Sequence, residues 1–79
     1  MTENEIITSL NQVFREVFDD ETITVSRTTT SADVDGWDSL SYLLLIQAVE
    51  DRFHFQFEMK DIVSMPNVGA MIDIIQEHV

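Results

Sequence analysis

Helical spacing of apolar residues, repeated in three separate stretches, most constrains what this chain can fold into. Ile6, Leu10, Val13, Phe14, Val17 and Phe18 advance by four, three, one, three and one positions, which sets all six on one helical face. The spacing predicts a first helix from Glu3 to Phe18, opened by a Thr2–Glu5 capping box. Asp19-Asp20-Glu21 ends it, since acids at a helix C-terminus oppose its dipole.

From Glu21 to Asp38 the periodicity dissolves. Ile23 and Val25 alternate with threonines, but no second strand pattern is available to pair with them. The stretch reads as a long loop pinned to the core by Ile23, Val25 and Val34, and loops of that length are often functional. The second helix runs from Ser39 to Phe53 with Asp38 as its N-cap. Tyr42, Ile46, Val49 and Phe53 form its apolar side, with Leu43 and Leu45 flanking. Leu40, Leu44, Ala48 and Asp51 fall opposite, so this helix carries more apolar surface than one core face requires.

Phe53 to Phe57 alternates without a partner strand and reads as a connector burying Phe53 and Phe57. Glu58 to Val63 has room for one or two helical turns before Met65-Pro66-Asn67 breaks the chain. Asn67 caps a last helix that faces inward through Val68, Met71, Ile72 and Ile75. The expectation is an all-α fold: three main helices plus one short helix, with a long loop between the first and second, in one domain over residues 1–79.

Composition narrows the function classes. Fifteen acidic against four basic side chains give a formal charge of −11, which opposes nucleic-acid and anionic-lipid binding and steers the chain toward basic protein surfaces. No apolar run reaches the roughly 20 residues that span a bilayer. An acidic N-terminus and the absence of cysteine point to a cytoplasmic, disulfide-free chain. A chain this short builds a small core and seldom a deep catalytic pocket as well.

The residues that carry chemistry are Asp35-Gly36-Trp37-Asp38-Ser39-Leu40, where the long loop enters the second helix. Ser39 stands at a helix N-terminus, a place suited to an attached anion. Gly36 permits a tight turn and a close approach by another protein. Ser39 as a presented hydroxyl and Ser39 as a helix cap are both consistent with this pattern.

Asp38-Ser39-Leu40 at the head of a helix resembles the attachment motif of acyl carrier proteins, where a phosphopantetheinyl transferase moves 4′-phosphopantetheine from coenzyme A onto the serine. The similarity continues without gaps through Glu50, Phe53, Phe57, Ile62, Val68 and Ile72. The resemblance implies a carrier rather than an enzyme, with Ser39 bearing an arm whose thiol holds acyl groups as thioesters. It implies Asp38 and Leu40 beside the attachment point. The partners it implies are separate synthases, ligases or acyltransferases of fatty acid, polyketide or related pathways. Candidate lining for an acyl chain is Leu43, Ile46, Val49, Met65, Met71 and Ile72; core packing is the simpler reading of each.

Two departures stand out. Carriers of fatty acid synthesis place an acid on the outer face of this helix where this chain has Leu44. The docking surface expected here is centred on Leu40 and Leu44, with Asp38, Asp51, Glu58 and Asp61 around it. Gly36-Trp37-Asp38 resembles stand-alone carriers of specialised pathways, with Trp37 expected to pack on the loop. The rival from another class is a non-covalent acidic adaptor that docks partners through Leu40 and Leu44.

Other chemistries fail on spacing. A calcium loop counted from Asp33 would need its glycine at the sixth place, where Asp38 stands, and an acid at the twelfth, which is Leu44. Nothing brings His54 or His78 to Ser39 as a hydrolase would need. Asp73 and Glu77 read as a solvated face.

Overall fold

The computed structural model describes all of residues 1–79. Its helices are α1 (Glu3–Val17), α2 (Ser39–Phe53), α3 (Met59–Val63) and α4 (Val68–His78), with a 3-10 turn at Ser31–Asp33 and no strand. The architecture is therefore all-helical, as the periodicity predicts.

The capping box of α1 forms reciprocally: the Glu5 N–H donates to Thr2 Oγ1 at 3.2 Å and the Thr2 N–H to Glu5 Oε1 at 3.0 Å. Ile6, Leu10, Val13 and Phe14 are buried, while Val17 and Phe18 are only half-buried, because the helix ends at Val17 and the chain turns away through a left-handed Asp19. Helix α1 lies against both α2 and α4. A cluster of 14 buried residues fills the space between the elements, and each large apolar side chain closed off there contributes about 1.5–3 kcal/mol.

In α2 the flanking leucines separate. Leu45 is fully buried, whereas Leu43 is 59% exposed. At 100° per residue, Leu45 lies about 70° to one side of the axis of the Tyr42–Ile46–Val49–Phe53 stripe and Leu43 about 90° to the other, and the bundle closes over one only. His54 ends the helix in a left-handed conformation, φ 60°. The connector buries Phe53 and Phe57, as expected, and the Phe57 N–H donates to Glu50 Oε2 at 2.8 Å. Phe55 lies against both Phe57 and the His78 ring, at 4.8 and 4.7 Å between centroids.

The long loop is a strap rather than a slack connection. Arg15 Nε donates to the Ile23 carbonyl at 2.7 Å and the Val25 N–H to Asn11 Oδ1 at 2.7 Å, fixing its first half on α1. Its centre is fixed on the start of α4: the Val68 N–H donates to the Thr29 carbonyl and the Gly69 N–H to the Arg27 carbonyl, each at 2.9 Å. A side chain at residue 69 would not fit, since a Cβ there would meet the Arg27 carbonyl oxygen at 2.8 Å. The Arg27 guanidinium bonds Glu3 at 2.6 Å and Asp73 at 2.9 Å, so Asp73 is a partner of the strap rather than merely part of a solvated face.

Candidate functional site

The strap delivers the chain to α2 through Gly36, whose φ of 87° is the left-handed region that a residue with a Cβ rarely adopts. Asp38 follows in extended conformation and caps the helix. Its Oδ1 accepts from the N–H of Leu40 at 3.0 Å and of Ser41 at 2.9 Å. Ser41 closes the box: its Oγ accepts from the Asp38 N–H at 2.8 Å and donates to the Gly36 carbonyl at 2.7 Å. The Ser41 N–H, reinforced by that of Leu40, holds the Asp38 carboxyl below the ordinary aspartate range.

With capping done by Asp38 and Ser41, Ser39 has no such duty. It is the first residue of α2, it is exposed, and its hydroxyl makes no hydrogen bond within the chain. The Asp38 carboxylate takes two of the first N–H groups of α2, those of Leu40 and Ser41.

A groove of about 360 Å³ begins at Ser39. Trp37 and Tyr42 form its α2 side; Ile62, Val63, Met65 and Pro66 form the opposite side. Trp37 is half-buried, edge-on to Phe14 at 5.4 Å, beside Phe18 at 6.2 Å and nearly parallel to Tyr42 at 6.4 Å between centroids. It packs on the bundle, as the sequence suggests. The Tyr42 hydroxyl donates to the Ile62 carbonyl at 2.5 Å, and burial pushes its pKa up.

Of the six residues expected to line a cargo site, only Met65 borders this groove. Ile46, Val49, Met71 and Ile72 are at most 5% exposed within the core cluster, and Leu43 points into solvent. Those four pack against the other members of that cluster, Ile46 and Val49 from α2 and Met71 and Ile72 from α4. Sequence reasoning passed over Tyr42, Ile62, Val63 and Pro66 as groove residues. The signal available was Tyr42 one turn after Ser39, with a proline closing the segment that faces it.

Leu40 and Leu44 are 73% and 60% exposed on the outer face of α2, and Met59 and Val63 of α3 are also exposed. Asp51 is exposed two turns beyond Leu44, about 10 Å along the axis, where its Oδ1 accepts from Gln47 Nε2. Glu58 is exposed and paired with Lys60, and Asp61 is half-exposed. His54 is exposed at the far end of α2, fifteen residues from Ser39, and His78 is engaged with Phe55. No triad forms.

The fold is similar to that of a holo acyl carrier protein from Geobacter metallireducens solved in solution, with a TM-score of 0.84 and 35% identity over 90% of this chain and 82% of that one. Residues 9–75 match the family described as phosphopantetheine attachment site. The chain belongs to the acyl carrier protein family. Its members are carriers rather than catalysts, they take a phosphopantetheine prosthetic group, and they work with enzymes that load and use acyl groups. No significant match is found among curated proteins. The site fits the group the carrier family takes: a reachable hydroxyl stands at the head of α2 with an open, part-apolar groove beside it.

Proposed function

We propose that this acyl carrier protein bears its phosphopantetheine on Ser39 and passes acyl groups between separate enzymes as a monomeric, cytoplasmic carrier domain. The unbonded, exposed Ser39 hydroxyl carries this reading, since the capping that would otherwise occupy it is done by Asp38 and Ser41. In loading, the Ser39 oxygen attacks the pantetheine-bearing phosphorus of coenzyme A. Adenosine 3′,5′-bisphosphate leaves, and the serine proton passes to a base of the transferase. The arm, once attached, supplies a terminal thiol that takes acyl groups as thioesters. A chain without cysteine offers no competing sulfur.

Intact mass after incubation with coenzyme A and a broad phosphopantetheinyl transferase tests the assignment. The expected result is one added phosphopantetheine, lost in Ser39→Ala and kept in Ser31→Ala, whose serine borders the same groove. Wild-type protein that stays unmodified would support the non-covalent adaptor instead.

The exposure of Leu40 and Leu44 supports an apolar docking centre on α2, with Asp38, Asp51, Glu58 and Asp61 as its acidic surroundings. Together with Trp37 beside the attachment point, it favours a specialised pathway, such as polyketide, lipid or cell-surface synthesis, over primary fatty acid synthesis.

A further inference from the structure

Helix α3 is the least anchored element of the bundle. None of its residues is buried and no side chain caps its first turn. The backbone bonds from Asp61, Ile62 and Ser64 all close within residues 58–64. One side-chain hydrogen bond joins that segment to another helix, from the Tyr42 hydroxyl to the Ile62 carbonyl. Tyr42 is itself held firmly, stacked on Trp37, which rests on the buried ring of Phe14.

The same bond spans the groove beside Ser39, because Tyr42 belongs to one side and Ile62 to the other. Tyr42 also lies on the inner stripe of α2, one turn after Ser39 and one turn before the buried Ile46. An acyl chain moving from the groove toward the core would pass the Tyr42–Ile62 bond.

We propose that Tyr42 is the specificity-determining latch of this carrier: by tying α3 to α2 through Ile62 it keeps the groove narrow and leaves the acyl group in solvent. The proposal rests on Ser39 as the attachment point. Its failure and the failure of that assignment are separable, because loading is read first by mass.

The test uses the wild-type carrier and Tyr42→Phe, which keeps the ring and its stack and removes only the hydroxyl. Each is loaded by a promiscuous transferase with butyryl- or octanoyl-pantetheine from the corresponding acyl-coenzyme A, and thioester hydrolysis is followed by intact mass. On wild-type protein the two thioesters should decay within about twofold of each other, since neither is sheltered. Losing one hydrogen bond of ordinary strength should raise the open population about fivefold. On Y42F the octanoyl thioester should then outlive the butyryl one by more than it does on wild type, reaching about threefold from a wild-type ratio of about 1.4, while the butyryl rate stays as in wild type.

A merely structural role for Tyr42 predicts altered stability without any chain-length dependence, and that result on Y42F would overturn the proposal. So would octanoyl protection already present in the wild type. Should Y42F lose its helical circular dichroism, Tyr42→Leu takes its place with the same two outcomes, and a protected octanoyl group on the wild type still sinks the latch.

Discussion

Leu44 and Leu45 are neighbours in sequence, yet one is 60% exposed and the other closed off completely. The contrast extends to whole regions. On one side α1, α4 and the strap enclose the inner stripe of α2, with Phe14, Val49 and Ile72 sealed in a single cluster. On the other, the outer face of α2 and the whole of α3 present Leu40, Leu43, Leu44, Met59 and Val63 to solvent. The first region holds the fold; the second is the surface proposed above for partner docking. A carrier must be handled by several enzymes while staying folded, and separating the two tasks onto opposite faces lets one surface vary without loosening the core.

The largest effect that would test this division is Phe14→Ala. Emptying a fully buried aromatic site should cost about 3–5 kcal/mol in urea denaturation, a large share of what so small a domain has. A cost below about 1 kcal/mol would mean that the enclosed side is not what holds the fold. Gly69→Ala sharpens the comparison at the strap. Its methyl would press on a backbone oxygen that cannot swing aside, so a loss of about 1–3 kcal/mol is expected, with faster amide exchange at Val68 and residue 69. Leu44→Glu probes the presented side. Thermal stability should stay within about 0.5 kcal/mol of wild type while acyl transfer by a cognate partner falls, and a large stability loss would move Leu44 into the core.

The smallest expected effect is on the pH dependence. The Asp38 carboxyl is held below its ordinary value of 3.8 by the Ser41 N–H. A lowered folded pKa contributes stability above that ordinary value and loses it as pH falls through the folded one. Asp38→Asn should therefore be slightly less stable than wild type at neutral pH, where the charge-dependent contribution is in force, and should show a flatter decline below about pH 4 as that difference closes. An unchanged acid limb would show that the cap has no charge-dependent part.

Legibility in the sequence followed the range of the interactions involved. The Thr2–Glu5 box, the Asp38 and Asn67 caps and the stop at Pro66 depend on residues a few positions apart, and each stands where the sequence places it. The Asp38–Ser39–Leu40 head of α2 was equally plain. Leu43 was misplaced because a helical stripe has two edges, and only the packing of α1 and α4 decides which edge closes. The Ser41 arm of the cap was missed, although its place at N3 was a visible signal. Arg27 bridging Glu3 and Asp73, and Tyr42 reaching Ile62, join residues 20 to 46 positions apart, which no local pattern encodes.

By itself, then, the chain's periodicity set four helices and their ends, because capping and amphipathicity act within one or two turns. Tertiary structure alone decided that Ser39 is relieved of capping and left reachable, that the long loop is a strap, and that the groove beside the serine is bounded by α3 rather than by core residues. Those outcomes depend on which surfaces meet when the helices pack. Steric closure between distant segments is a property of the assembled bundle, not of any stretch of it.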